Sequence, residues 1–205
     1  PHAVAAIHAS NVRDEDGQSM SIYRLTLTSK AGTKQGQYGI HLENCAGVYL
    51  ADIECPAYFE TGLLIDGANS TNMTMNGVRV AGAGVSGATM RNLSSSSSTR
   101  FEADFGNAAA SKAEGFAGLV LQGCRDLQFD YLSTGYNAGT GLVMDTCQNL
   151  AMDELWCNAN ETNGIIGKDS TGIHIGWLMC TESGENGVVL DNCEAVTLDD
   201  LLDVN

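Results

Sequence analysis

The chain has 205 residues, of which 25 are Asp or Glu and 10 are Lys or Arg, so its formal net charge is −15 at pH 7. This balance makes nucleic acid a poor partner, because binding to phosphates requires Lys and Arg. No apolar run approaches the roughly 20 residues of a membrane span, so we expect no membrane insertion. The chain begins with Pro1 rather than Met, which predicts a piece of a longer protein.

An internal repeat runs along almost the whole chain. The segments GLVLQGCRDLQFDYL at 118–132 and GLVMDTCQNLAMDEL at 141–155 are closely similar in sequence and begin 23 residues apart. The steps between successive repeats are 23, 25, 31, 23, 23 and 23 residues. After a first repeat at Ala6, the repeats begin at Gly39, Gly62, Gly87, Gly118, Gly141, Gly164 and Gly187.

In chain order, the irregular steps coincide with polar insertions. The first repeat is extended near 13–23 by RDEDGQSMSIY, and the repeat from Gly87 is extended near 94–98 by a serine run and near 106–115 by a further segment. From Gly118 onward the step stays constant. We therefore predict loops at these three places within a single domain that covers 1–205.

Apolar residues within a repeat follow a period of two. Counting each glycine as position 0, the apolar positions are 1 and 3, then 9 and 11, then 14, which predicts three short strands per repeat. A fixed 23-residue step favours a right-handed parallel β-helix of about eight rungs over a β-sandwich. The predicted core residues of the regular repeats are Leu119, Leu121, Leu127, Phe129, Leu142, Met144, Leu150, Met152, Ile173 and Ile175.

The seven cysteines fall at only two positions of the repeat. Position 6 holds Cys45, Cys124, Cys147 and Cys193, and position 16 holds Cys55, Cys157 and Cys180. Other repeats place small apolar residues at these positions, which predicts buried free thiols rather than a zinc site. Disulfides Cys124–Cys147 and Cys157–Cys180 stay open on distance alone. The odd count indicates assembly in a reducing compartment.

Position 2 lies between two inward residues and should face outward. It carries a stripe of aliphatic side chains, interrupted by His8, His41 and Thr89, and the two histidines are expected to stack at the surface. A stripe of this kind predicts side-by-side association of rods, the alternative being a strand covered by a loop or by sequence missing from this chain. The stripe consists of Leu64, Val120, Val143, Ile166 and Val189.

Positions 12 and 13 form a second outward feature, a ledge of carboxylates and aromatic rings. Asp130 and Asp153 would lie on adjacent rungs, close to the carboxylate spacing of a retaining glycosidase, so they are the candidate catalytic residues. Aspartates at a corner can also cap turns or bind Ca²⁺; otherwise we predict no metal or cofactor. The candidate substrate-binding residues are Tyr131, Glu154, Trp177 and Asp199.

The repeats GLVMDTCQNLAMDELWC and GVVLDNCEAVTLDDL resemble those of the pectin-lyase-like β-helices. Among these, the chain resembles phage tailspikes and tail receptor-binding proteins in its acidic composition, unpaired cysteines and Ser- and Gly-rich insertions. The resemblance implies a trimer on a phage tail, assembled in a reducing host cytoplasm, that binds a bacterial surface polysaccharide. A glycoside hydrolase or lyase of the same fold and a purely structural rod are the alternatives, and enzyme activity stays undecided. Pectate lyases carry a catalytic Arg or Lys, and we expect none of the ten basic residues on the ledge.

Overall fold

The computed structural model describes residues 5–13, 20–27, 36–55, 59–81, 84–104 and 117–204. Within these residues, sixteen strands form two eight-stranded parallel sheets, the odd-numbered strands in the first sheet and the even-numbered strands in the second. Each strand pairs with the strand two places along the chain, so one turn of the solenoid comprises one strand of each sheet. The described residues include no helix, and therefore none that could cross a membrane.

The strands are β1 (Ala5–Ser10), β2 (Ser21–Thr26), β3 (Gly36–Glu43), β4 (Tyr49–Cys55), β5 (Phe59–Asp66), β6 (Thr74–Ala81), β7 (Ser86–Arg91), β8 (Ser94–Asp104), β9 (Ala117–Gln122), β10 (Arg125–Ser133), β11 (Thr140–Asp145), β12 (Gln148–Trp156), β13 (Ile165–Lys168), β14 (Thr171–Cys180), β15 (Val188–Asp191) and β16 (Glu194–Val204).

The predicted parallel β-helix is confirmed, with two strands per coil where three were predicted. Phe129 and Leu132, expected on separate strands, both lie on β10. Although Asp130 and Tyr131 both face outward, the strand continues through them because the backbone ladder with β12 is kept. Each sheet has eight strands, but the two end coils pair on one side only. This leaves about six fully stacked turns, slightly fewer than the eight rungs predicted.

The predicted core is confirmed, since all ten core residues named from the sequence are at most 2% exposed. Phe101 and Phe129 are the two largest fully buried side chains, and their ring centroids lie 6.3 Å apart in an edge-to-face arrangement.

The loop predicted near 94–98 is wrong, because these serines open strand β8. Ser96 and Ser98 pair with Leu127 and Phe129 and occupy core positions. The Ser96 hydroxyl accepts from the Met73 amide at 2.9 Å and donates to the Ser94 carbonyl at 2.8 Å. These hydrogen bonds offset the cost of burying a polar group. Of the other predicted loops, 106–115 and residues 14–19 of the loop near 13–23 lie outside the described residues. The end of the loop near 13–23 was predicted wrongly, because strand β2 begins at Ser21.

The repeated glycines are explained by close packing of the backbone between coils. A methyl group placed on Gly39, Gly87 or Gly141 would lie 2.5 to 2.7 Å from the carbonyl oxygen of the next glycine in the series. That distance is shorter than any ordinary van der Waals contact, so only hydrogen fits. The 23-residue spacing of glycine is therefore a packing requirement of the solenoid.

The corner after each strand of the first sheet uses a residue in the left-handed conformation. Asn44, Asn92, Thr146 and Asn192 occupy this corner with φ between 51° and 56°, a region that Asn visits more readily than most residues. Gly123 takes the same place in its coil with φ 62°. These corners turn the chain from the first sheet to the second in every coil.

The cysteine prediction is confirmed for six of the seven residues. All seven thiols are free, and all except Cys193 are buried, so neither disulfide left open by the sequence is formed. Burial raises the pKa of the Cys157 thiol well above its ordinary value. Cys193 is half-buried because it lies beside β15 and β16, the last described coil, on which no further described strand stacks.

The position-2 stripe is in register along the first sheet, as predicted. Val120, Val143, Ile166 and Val189 are half-buried. The prediction was wrong for Leu64, which is only 4% exposed. Leu64 lies in the ladder between His41 and Thr89, whose side chains flank it on both sides.

Candidate functional site

The second sheet brings together the aromatic and acidic residues that the sequence placed on a ledge. Tyr131 pairs with Glu154, Glu154 with Trp177, and Trp177 with Asp200, so the four side chains form one column along the axis. The first three are half-buried and Asp200 is exposed. They stand on the outer face because Leu132, Leu155 and Leu178, one residue further along each strand, point into the core.

Trp156 adds a second large ring that sequence reasoning did not include. Its indole N–H donates to the Glu154 carboxylate at 2.7 Å, and its ring lies 5.0 Å from that of Trp177, tilted by 51°. The signal for it was present, because position 15 follows an inward leucine and must itself face outward. We call Tyr131, Glu154, Trp156 and Trp177 the aromatic ledge.

The aspartates at position 12 lie beside the aromatic ledge, but they do not form an unbroken column. Asp130 and Asp153 are both exposed on adjacent coils. The next coil has Gly176 at this position, so Asp199 is two coils away from Asp153. Asp199 instead approaches His174, whose Nε2 lies 3.1 Å from its carboxylate. The expectation of catalysis at Asp130 and Asp153, and of Ca²⁺ at this column, stays a prediction.

A groove of about 450 Å³ lies on the same outer face of the second sheet, across strands β2, β4, β6 and β8. We call it the arginine groove. Four of its residues stack in register with position 15 of the regular coils, Thr26 on Glu54, Glu54 on Arg79 and Arg79 on Glu102. The lining residues are Arg24, Thr26, Asp52, Glu54, Gly77, Val78, Arg79, Arg100 and Glu102.

Glu102 pairs with two of the three arginines that line the arginine groove, Arg79 and Arg100. The side chain of Glu102 is only 16% exposed, and its Oε1 accepts from the Arg100 Nε–H at 2.7 Å. Arg79 Nε lies 3.4 Å from the other carboxylate oxygen. Both guanidinium groups remain accessible, since the side chains of Arg79 and Arg100 are 48% and 64% exposed. They can therefore donate further hydrogen bonds to a bound molecule.

The arginine groove and the aromatic ledge are neighbours. The Arg100 guanidinium carbon lies 5.4 Å from the centre of the Tyr131 ring, within cation–π distance.

Ser133 follows Glu102 in the position-15 column and donates to the Asp104 carboxylate at 2.9 Å, while the Gly135 amide donates to the same group at 2.6 Å. Burial raises the pKa of Asp104, and burial together with Glu102 raises the pKa of Tyr131.

The expectation that no basic residue joins the ledge is wrong. Counting from Gly87 places Arg100 at position 13, the position of Tyr131, Glu154 and Trp177 in the following coils. Treating the serines at 94–98 as a loop broke this count and concealed the arginine. Because the serines form part of β8, no residue is inserted before Arg100.

Comparison with known proteins supports the parallel β-helix fold. No protein-family model matches the sequence, and no curated protein matches it. A double mutant of a periplasmic alginate epimerase superimposes with a TM-score of 0.67 at 13% identity, covering 80% of this chain and 42% of that one. The full-length tailspike protein 2 of an Escherichia coli O157:H7 bacteriophage superimposes with a TM-score of 0.68 at 12% identity, covering 87% of this chain and 25% of that one.

The enzymatically active domain of tailspike protein 2 from bacteriophage CBA120 matches 97% of this chain and 34% of its own, with a TM-score of 0.60 at 13% identity. The chain thus spans less than half the length of each of these proteins. At such identities the similarity establishes the fold: the chain is a parallel β-helix of the kind found in tailspikes and in alginate epimerase.

Proposed function

We propose that this chain is the glycan-binding β-helix of a phage tailspike, and that the arginine groove and the aromatic ledge together hold a bacterial surface polysaccharide. The observation that carries the proposal is the 5.4 Å contact between Arg100 and Tyr131. This contact joins guanidinium donors to flat rings on one outer face, so a chain of sugars can lie along the axis across both. The tailspike similarity supports this choice of ligand.

The two parts of the surface provide complementary chemistry for a sugar chain. Tyr131, Trp156 and Trp177 offer flat apolar faces against which sugar rings pack, with polar edges for hydroxyl groups. Arg79 and Arg100 offer forked donors that fit a carboxylate or a pair of hydroxyls. A polysaccharide with carboxylate groups can use both features through the local guanidinium donors rather than through net charge, because Asp52, Glu54 and Glu102 balance the three arginines of the groove.

The binding test is a glycan array followed by calorimetry on the glycans that bind. Trp177→Ala should weaken binding at least about tenfold, as expected for an aromatic anchor, whereas Asp145→Ala, on the first sheet, should not. Arg100→Gln should weaken binding of acidic glycans, and Arg91→Gln is its matched control because Arg91 pairs with Asp66 on the first sheet. Equal binding by wild type, Trp177→Ala and Arg100→Gln would place the site elsewhere. No binding to any glycan would favour a structural rod.

Cleavage of the polysaccharide is the second candidate function. It is favoured by Asp130 and Asp153, exposed on adjacent coils next to the aromatic ledge. The roughly 4.8 Å between coils is close to the carboxylate separation of a retaining glycosidase. Asp153→Asn should then abolish product formation and leave binding intact, because the amide keeps the shape but cannot act as an acid or nucleophile. Binding without products from wild type would leave an adhesin.

The proposal includes a phage-tail location, assembly in a reducing cytoplasm and a trimer formed along the position-2 stripe. The seven free thiols are consistent with reducing conditions during folding. The half-buried aliphatic column of Val120, Val143, Ile166 and Val189 provides a continuous apolar strip for a neighbouring subunit.

A further inference from the structure

Two histidines and a glutamate meet on the outer face of the first sheet, between β1 and β3. His8 pairs with His41, and Ser10 pairs with Glu43, so His41 and Glu43 point to the same side of β3. The two imidazole rings stack with centroids 4.7 Å apart and planes 8° apart. His8 Nε2 lies 3.5 Å from the Glu43 carboxylate oxygen Oε2. The cluster lies on the opposite sheet from the arginine groove.

The donor atoms of these three residues converge closely enough to share one ion. One nitrogen of each histidine and one carboxylate oxygen all lie within 4.8 Å of one another. Ligand atoms of a tetrahedral zinc ion lie about 3.4 Å apart at ordinary bond lengths, so the His8–Glu43 distance already fits. The remaining distances must shorten by at most about 1.4 Å. The side chains of His8 and Glu43 are about half exposed and can rotate to close this gap.

The neighbouring Asp66 is paired with other groups, so it does not occupy the donor atoms of the cluster. Asp66 follows Glu43 in the same column, but its carboxylate accepts from the Gly67 amide at 2.7 Å and lies 3.5 Å from Arg91. The ring of Tyr38 lies 5.1 Å from that of His41 and packs against it, which restricts the orientation of the imidazole.

We propose that His8, His41 and Glu43 bind one divalent transition-metal ion of the zinc class. Two imidazole nitrogens and one carboxylate form a donor set suited to zinc, cobalt or nickel rather than calcium or magnesium, which prefer oxygen ligands. The fourth position faces solvent and takes water. The ion links β1, the edge strand of the described first sheet, to β3, and so stabilises this coil. The inference does not depend on the proposed glycan site.

The test is direct metal titration of the tag-free protein after removal of metals with a chelator and in the presence of a non-thiol reductant. Zn²⁺ is titrated in competition with a chromogenic chelator, and Co²⁺ is titrated by its visible absorption. We expect one high-affinity ion per chain. His41→Ala and Glu43→Gln should each weaken binding more than about 100-fold, beyond the loss of an outer-shell partner. His174→Ala is the matched control, because His174 has 52% side-chain exposure and a single carboxylate partner.

Two further measurements separate this site from other ligands. Cys193→Ser and His2→Ala should keep wild-type affinity, and the Co²⁺ form should lack the near-ultraviolet charge-transfer band of thiolate ligation. Zn²⁺ should also raise the Tm of wild type but not that of His8→Ala or Glu43→Gln, since an ion that binds only the folded chain stabilises it. Wild-type affinity in Glu43→Gln and His8→Ala, loss of affinity in Cys193→Ser, or no bound ion in wild type would each overturn the proposal.

Discussion

At the level of single residues, the thiols of the two cysteine columns act as small apolar side chains. Cys55 is 1% exposed and pairs with Val80, which fills the same place in the next coil. Burial raises the pKa of the Cys55 thiol from its ordinary 9.0 to about 12, because an apolar interior disfavours the thiolate. The folded protein therefore holds this proton more tightly than the unfolded chain does.

This difference predicts an alkaline loss of stability that involves Cys55. The contribution is fully present below about pH 9, and it decreases as the pH rises towards about 12, by up to about 1.4 kcal/mol per pH unit. Urea unfolding at a series of pH values from about 8 to 11 should show a steeper decline for wild type than for Cys55→Val. Cys193→Val, which alters a half-buried thiol, is the control and should decline as wild type does. Equal slopes for wild type and Cys55→Val would contradict the prediction.

At the level of the structural element, the glycine at the start of each coil sets how closely neighbouring strands approach. A methyl group on Gly141 would lie 2.7 Å from the carbonyl oxygens of Gly164 and Thr134 and 2.6 Å from Asn160 Nδ2. Two of these neighbours are backbone atoms, so the strain cannot be relieved by turning a side chain. The coil can accept a side chain here only by moving away from its neighbour.

Gly141→Ala should therefore destabilise the protein by about 1 to 3 kcal/mol, the usual cost of overpacking. Gly84→Ala is a matched control, because the nearest atom to a methyl group there is 3.6 Å away. The control should leave stability unchanged or slightly raised, since alanine restricts the unfolded chain. The free energy of unfolding in urea measures both. Similar stability of the two variants would contradict the role assigned to the glycine column.

The repeated glycines also show which features of a coil the sequence predicts. The step between glycines and the inward alternation of Leu127 and Phe129 predicted the register of the coils correctly. The same pattern predicted three strands per coil, because two outward residues in succession, Asp130 and Tyr131, were taken as a strand break. The ladder between β10 and β12 spans that point, since backbone pairing with neighbours on both sides keeps the strand extended.

At the level of the whole molecule, the two sheets present different outer surfaces. The second sheet carries the arginine groove and the aromatic ledge, whereas the first carries the aliphatic column of Val120, Val143, Ile166 and Val189. A protein that uses one face for a ligand and another for association would distribute its side chains in this way. The proposed trimer would pack inward only the part of the first sheet that carries this column, and it would leave the His8–His41 pair and the second sheet accessible.

Ile166→Asp should shift the proposed trimer towards monomer, because the contact would then bury an unpaired charge. Thr197→Asp, an exposed position on the second sheet, is the control and should leave the assembly unchanged. Light scattering coupled to size-exclusion chromatography gives the mass of each. A monomeric wild type at micromolar concentration, or an unchanged trimer for Ile166→Asp, would contradict association through this stripe.

The sequence by itself determined the solenoid, its core and its cysteine columns, because a fixed step and a period of two dictate which side chains stack and which point inward. It also placed Tyr131, Glu154 and Trp177 in one column for the same reason. Only the tertiary structure revealed the arginine groove and the approach of Glu43 to the His8–His41 pair, whose stacking the sequence predicted. In the early coils the spacing is irregular, with register shifts between β6 and β8 and 33 residues between the paired histidines. Side chains meet there because the backbone folds around insertions, and counting along the chain cannot supply that geometry.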